Sequence, residues 1–354
     1  MNGQHNAAER ILAGTLEFRD WFLGLKDVEL HEVARDVAYV VSKGVIGNVS
    51  LIRTPAGIVM SDTGIASHAP RILEELRRWS DAPIHTVVYT HGHWDHVAGL
   101  PVYDREAQAA GRPLPRVIAH ANVPHRLARY ALTAGYNTRI NQRQFPGTTL
   151  KWPPDTRAPD VTYDRSLELN VGGRIIELNH GVGETDDHTW LWVADAQLIV
   201  SGDFFIWSGP NCGNPQKAQR YAVGWRDALK AMLLKAPEVL IPGHGPVLSG
   251  AARIAEVLKD TIRYLEILID GTLAHMNQGE RLDAVLHAVR VPPELATKPY
   301  LRPTYDHPEF VVRNLWRLYG GWYDGNPAHL LPAPEAELAR EMAQLAGGAE
   351  RLAE

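Results

Sequence analysis

The chain has 354 residues, 45% hydrophobic and 22% charged, with a formal net charge of −5 and one cysteine, Cys212. That length leaves room for two domains and a large core, while mild acidity without a basic block argues against a nucleic-acid partner. A single cysteine excludes a disulfide framework and a thiolate-rich metal site, and no apolar run approaches the roughly eighteen residues of a membrane span.

In chain order, residues 1–30 read as a polar, irregular or helical lead-in. The opening MNGQHNAAER lacks the apolar region of a signal peptide, so a cytoplasmic location is expected. DVAYVVSKG (36–44), GNVSLIRTP (47–55) and GIVMSDTG (57–64) read as successive antiparallel strands. RILEELRRW (71–79) has helical spacing, and IHTVVYT (84–90) is a buried strand that runs into HGHWDH. PRVIAH (115–120), RIIELNHGVGETDDH (174–188), TWLWVADAQLIVSGD (189–203) and EVLIPGHG (238–245) repeat the pattern of an apolar strand ending in His, Asp or Glu. Ligand sites of layered α/β folds lie at strand ends, so these segments predict one polar site at one sheet edge. From about 250 the pattern becomes helical: 251–276, 280–289, 308–322 and 334–354, with proline-rich connectors. The expected division is a catalytic domain over 1–250 and a helical domain over 251–354.

His91-Gly92-His93-Trp94-Asp95-His96 places three histidines and a carboxylate just past a strand. Zinc takes four or five N and O ligands at about 2.0–2.2 Å. Residues i and i+2 of an extended segment point the same way, so His91 and His93 converge on one ion while Asp95 and His96 face a second. Gly99 lets the next helix approach closely. With sixteen histidines and one cysteine, metal chemistry here runs on imidazole and carboxylate.

The run from Thr90 to Gly99 resembles the T-H-x-H-x-D-H-x-x-G signature of the metallo-β-lactamase superfamily. That resemblance implies an αββα sandwich with a dinuclear metal centre, here two Zn²⁺ per chain. Ser201-Gly202-Asp203 matches its S-G-D motif and Pro242-Gly243-His244-Gly245 its P-G-H-G motif. In Gly181-Val182-Gly183-Glu184-Thr185, Glu184 stands where a histidine is usual. The carboxylate there resembles the zinc-dependent alkyl sulfatase branch, as do Gly320-Gly321-Trp322-Tyr323-Asp324-Gly325-Asn326-Pro327-Ala328 and the closing Gly347-Gly348-Ala349. The branch's longer members carry a further sterol-carrier-like domain, which the resemblance places beyond the matching run, so none is expected within these 354 residues. The branch also shows an Arg-Gly-Ala run whose arginine binds sulfate; here the region reads Asn211-Cys212-Gly213-Asn214-Pro215-Gln216-Lys217-Ala218, and Lys217 supplies the charge.

The resemblance implies that His91, His93 and Glu184 hold one ion, that Asp95, His96 and His244 hold the other, and that both share Asp203. A water between the ions gives up a proton and attacks a sulfate ester, at carbon or at sulfur. The alternatives are hydrolysis of a carboxylic ester, lactone, β-lactam or phosphoester at the same centre, or a non-catalytic metal-bound scaffold. Asp95 belongs to the catalytic set as well as the ligands, and His180 and His188, which flank Glu184, are both open as general acid. For an anionic small-molecule substrate the candidate contacts are Tyr136, Asn137 and Arg143, in a loop that lines the pocket in the branch, with Lys217 and Arg313. Trp190 and Trp192 are expected in the core and Cys212 as a packing residue. The helices imply a homodimer, with Ile254, Val257, Leu258, Ile262 and Leu265 forming an apolar stripe that suits either an interface or a cap on the sandwich.

Overall fold

The computed structural model describes residues 2–44, 47–145 and 152–353; Met1 and Glu354, at the ends of the expected lead-in and last helix, lie outside them. Two helices, α1 (Asn2–Leu12) and α2 (Phe18–Gly24), form the lead-in. The first sheet then runs in chain order: β1 (Val28–Ala34), β2 (Val37–Ser42), β3 (Val49–Thr54), β4 (Gly57–Ser61), β5 (Ile84–Val88), β6 (Arg116–His120) and β7 (Val161–Tyr163). It is antiparallel from β1 to β4, as the sequence predicts for 36–64, and parallel from β4 to β7. Strand β1 begins inside the expected lead-in, because its polar residues take only half-buried positions at the sheet edge.

The second sheet holds β8 (Ser166–Val171), β9 (Arg174–Gly181), β10 (His188–Val193), β11 (Leu198–Gly202), β12 (Val239–Pro242) and β13 (Leu248–Ser249), antiparallel except for the parallel β11–β12 pair. Around the first sheet lie α3 (Ala69–Trp79), α4 (Trp94–Val97), α5 (Leu100–Ala109), α6 (Asn122–Leu132) and α7 (Ala134–Gln144). Helix α8 (Ala222–Leu234) covers the second sheet. The C-terminal region holds α9 (Ala251–Asn277), α10 (Leu282–Ala288), α11 (Pro293–Ala296), α12 (Pro308–Gly320), α13 (Glu335–Leu345) and α14 (Ala349–Ala353). This is the αββα sandwich of a metallo-β-lactamase-like fold followed by helices.

Side chains alternate across a strand, and β2 uses both faces. Val37, Tyr39 and Val41 enter the core between the sheets, while Ala38 and Val40 pack under α3 and α5. Both faces are covered, so the strands read as near-continuous apolar runs. Trp190, Trp192 and Cys212 are buried in the larger apolar cluster, which takes in the space between the sheets and the helices packed on the second sheet. So are Ile254, Leu258 and Leu265 of α9 and Val311, Val312 and Leu315 of α12, making the core continuous across residue 250.

Two expectations change. The segment 136–145 is a helix rather than a loop: its polar residues hide the periodicity, but Ile140 and Asn141 are buried. The expected helix over 334–354 is two, broken at Gly347 and Gly348, whose φ values of 88° and 128° favour glycine.

Candidate metal centre

Strand ends build the site. Asp62 follows β4, His91 follows β5, Glu184 follows β9, Asp203 follows β11 and His244 follows β12. His93, Asp95 and His96 enter from the short helix α4 and its N-cap. Glycines allow the close approach: a Cβ on Gly99 would lie 2.0 Å from the Thr63 carbonyl oxygen, and one on Gly243 would lie 2.0 Å from Asp203 Oδ1.

The side chains form two groups whose ligand atoms lie within 4.8 Å of one another: His91, His93, Glu184 and Asp203, then Asp95, His96 and His244. In the first, His91 Nε2 is 2.8 Å from His93 Nδ1 and 3.8 Å from Asp203 Oδ2. In the second, His96 Nε2 is 3.4 Å from Asp95 Oδ2, and His244 Nε2 is 3.5 Å from the same oxygen. Asp203 Oδ1 lies 3.4 Å from His96 Nε2 and 3.4 Å from His244 Nε2. The two oxygens of Asp203 therefore face different groups. Ligands about 2.1 Å from a tetrahedral zinc stand about 3.4 Å apart, so this spacing fits two ions of the zinc type. His96 Nε2, Glu184 Oε2 and Asp203 Oδ1 are buried without a hydrogen-bond partner, a costly state that cations would relieve.

Hydrogen bonds fix the tautomers. His96 Nδ1 donates to Asp62 Oδ2 at 2.7 Å, turning Nε2 to the site. His91 Nδ1 donates to Thr90 Oγ1 at 3.0 Å, and that hydroxyl donates to Asp62 Oδ2 at 2.7 Å. Orienting partners of this kind hold metal-binding histidines in register. Burial pushes His91 and His93 well below the usual histidine range, so both are neutral lone-pair donors. Burial acts on His96 too, but Asp95, Asp203 and Asp62 outweigh it and raise its pKa, marking a place where positive charge is wanted.

Glu184 is held from behind. Burial pushes its pKa up to about 8 despite Arg220, with the Asp203 charge adding to the rise. Glu184 pairs with Arg220, and its Oε1 accepts from Asn211 Nδ2 at 2.7 Å. The loop carrying both partners is clasped from the helical region. Asn314 Nδ2 of α12 donates to the Cys212 carbonyl at 2.6 Å and the Arg220 carbonyl at 2.7 Å, and Asp306 accepts from the Gly213 amide at 2.5 Å.

The centre opens into a cavity of about 640 Å³. His93, Asp95, Glu184, Asp203 and His244 line it, with Lys217, Arg220 and Tyr305 beside them and Tyr130, Ile140 and Trp152 on an apolar side. Tyr136 and Asn137 also line it. Four other expected positions fall outside the cavity lining. Arg143 is exposed and donates at 3.2 Å to Oε1 of Gln216, which itself lines the cavity. Arg313 is exposed on α12 and outside the cavity lining; Arg317, one turn on, takes that place. His180 and His188 do not line the cavity, and the His188 ring lies 4.4 Å from that of His91. His188 is buried, accepts the Asp203 amide at 3.1 Å, and is pushed down to about 3 by burial. His180 stacks on His120 with ring centroids 3.5 Å apart and donates to the His188 carbonyl at 2.9 Å. Arg220, Asn211, Tyr305 and Asp62 were not found by sequence reasoning; only Asp62, in Ser61-Asp62-Thr63-Gly64 at a strand end, carried a readable signal.

The profile of the Metallo-beta-lactamase superfamily matches residues 42–244, more than half of the chain. The chain belongs to this superfamily. Within it, the profile described as Alkyl sulfatase dimerisation matches residues 281–354. A linear primary-alkylsulfatase of Pseudomonas sp. is 28% identical over 326 residues, covering 85% of this chain and 61% of that protein. An (R)-specific secondary-alkylsulfatase of Pseudomonas sp. is 27% identical over 331 residues, covering 86% and 50%. The solved structure of a stereoselective inverting sec-alkylsulfatase from Pseudomonas sp. superposes with a TM-score of 0.79 at 25% identity, covering 92% of this chain and 55% of that one. The superfamily member described here thus spans 50–61% of the length of these curated relatives.

Proposed function

We propose that the protein is a dinuclear metal-dependent hydrolase of sulfate esters. The observation that carries this reading is Asp203, whose two carboxylate oxygens face two separate ligand groups at the floor of one cavity. In this reading His91, His93 and Glu184 would hold one zinc ion and Asp95, His96 and His244 the other, with Asp203 available to both. When bound, the ions supply Lewis acidity and draw the pKa of a coordinated water towards about 7. Lys217 and Arg220 present positive charge to an anionic ester and to the charge that develops as it breaks. Burial and the charges of Asp95, Asp203 and Glu184 hold the Tyr305 hydroxyl far above the usual tyrosine range, so it stays protonated and can donate to an ester oxygen. The similarity to alkylsulfatases supports sulfate as the reacting group.

The test is turnover of medium-chain alkyl sulfates by the zinc-loaded protein. Sulfate release that EDTA abolishes and zinc restores is expected. Turnover confined to lactones, carboxylic esters or phosphodiesters would overturn the sulfate assignment.

Lys217 gives this reading a pH signature. Burial, aided by Arg220, pushes its pKa down to about 8. It is charged below that pH and neutral above it, so KM for an anionic ester rises as pH climbs through 8. Lys217→Arg keeps the charge and is expected to flatten the rise; an unchanged profile would assign it to another group.

Within the same reading, two copies associate through the C-terminal helices. Leu338, Met342 and Leu345 of α13 are 55%, 50% and 84% exposed, and α13 buries none of its own residues. The match of 281–354 to a dimerisation profile supports this face as the contact. The division near residue 250 and a cytoplasmic location belong to the same proposal. Among the described residues no helix is long and apolar enough to cross a membrane.

A further inference from the structure

Five lysine and arginine side chains line the cavity: Arg126, Arg129, Lys217, Arg220 and Arg317. Carboxylates answer two of them. Arg126 pairs with Asp186 and Asp187, and Arg220 pairs with Glu184. Among the described residues the other three meet only neutral groups. Lys217 Nζ donates to Asn141 Oδ1 at 3.1 Å. Arg317 donates to Gln219 Oε1 at 2.9 Å and to Asn314 Oδ1 at 3.0 Å. Arg129 lies against the Tyr130 ring, 5.4 Å from its centroid.

These cations act at two places. Lys217 and Arg220 belong to the metal end: Lys217 feels Glu184 and Asp95, and His93 feels Arg220. Arg129 and Arg317 line the same cavity, and among the described residues neither touches a side chain of the two metal groups. Although they come from α6 and α12, both bear on the Tyr221 hydroxyl at the N-cap of α8, where with Arg126 they oppose the rise that burial imposes. Tyr130, Ile140 and Trp152 supply apolar wall in the same cavity.

An ester with one sulfate and an uncharged tail is neutralised at the metal end and leaves Arg129 and Arg317 without a counter-charge. Two guanidinium groups held in one cavity by neutral contacts suit a planar or tetrahedral anion, which they can grip through several N–H donors. We propose that Arg129 and Arg317 form a subsite for a second anionic group at the far end of the substrate. The preferred substrate is then a sulfate ester whose tail ends in a carboxylate, sulfonate or phosphate, with the apolar wall packing the spacer. This rests on the reading of the centre as a sulfate-ester hydrolase for the nature of the reacting end.

Calorimetric titration of the zinc-loaded protein tests it with ligands that cannot be hydrolysed: a linear alkane α,ω-disulfonate against the alkane monosulfonate of equal length. Hydrogen bonds to a charged group contribute about 1.5–3 kcal/mol, so the disulfonate is expected to bind about tenfold more tightly or better. The affinity ratio should fall towards one in Arg129→Gln and in Arg317→Gln. Both side chains are at least partly exposed, and unchanged melting temperatures would show that the fold is intact. Equal affinities in the wild type, a ratio that neither substitution moves, or binding of neither ligand would overturn the subsite. Parallel assays of alkyl sulfate turnover separate the two ideas. Turnover without a disulfonate preference removes the subsite alone. A preference without turnover of any sulfate ester removes the assigned reaction and keeps the subsite.

Discussion

Asp203→Ala is expected to abolish turnover, lowering kcat/KM by about 10³-fold or more, because several kcal/mol of charge stabilisation pass through the ions and each 1.36 kcal/mol is tenfold. The carboxylate is the contact shared between the two ligand groups, with Oδ2 towards His91 and Oδ1 towards His96 and His244. Removing it would take a ligand from each of the two sites the side chains would offer to metal, and leave His96 and His244 converging without the acid between them. Metal content by mass spectrometry should therefore fall below two ions per chain together with activity. Asp203→Asn separates two explanations, since it keeps the shape and one oxygen while losing the charge. If charge sharing matters, the asparagine variant resembles the alanine variant. Two ions retained in Asp203→Ala with near-normal turnover would remove Asp203 from the bridge.

Above pH 8, where Glu184 is ionised, Arg220→Ala is expected to destabilise the metal-free protein by about 3–5 kcal/mol, the usual consequence of leaving one charge of a buried pair alone. Both side chains of the Arg220–Glu184 pair are 4% exposed. The loss should depend on pH. Glu184 has a folded-state pKa raised above its unfolded value, so it contributes stability at low pH that is lost as pH rises from its ordinary range through about 8. Without Arg220 that pKa goes higher still, and the variant's deficit should be larger at pH 8.5 than at pH 5.5. Zinc should then restore much of the stability, because the ion replaces the missing positive charge beside Glu184. Urea unfolding with chelator and with zinc, at both pH values, measures this. A deficit of the same size under all four conditions would assign Arg220 to general packing or to the substrate instead of to Glu184.

What sequence could reveal here follows from distance along the chain. His91, His93, Asp95 and His96 lie within six residues of one another, and Asp203 and His244 sit in short strand-end motifs, so local chemistry and a family pattern suffice to name them. Glu184 stood out because a carboxylate occupied a histidine's place. The partners that hold these groups were invisible for the opposite reason. Asp62 meets His96 across 34 residues, Arg220 meets Glu184 across 36, and Asp306 meets the Gly213 amide across 93. Each depends on how sheets and helices stack, which no spacing encodes. Arg313 is a candidate contact on sequence grounds, but cavity access on α12 falls to Arg317. His180 and His188 flank Glu184 in sequence but stand outside the cavity lining, His188 against His91 and the Asp203 amide and His180 against His120. The αββα layering was implied by the family resemblance that the metal motif carries, whereas helix α7 was hidden by a polar run that buries only Ile140 and Asn141.

The clasp of Asn314 and Asp306 on the 211–220 loop makes the helical region part of the metal chemistry. Asn211 and Arg220, which grip Glu184, are steadied by groups beyond residue 300. A sandwich cut at residue 250 would keep all seven ligand residues and still let one of them go slack. The helices are therefore not a detachable module: anyone transplanting this centre into a smaller scaffold must carry that clasp along or design a replacement for it.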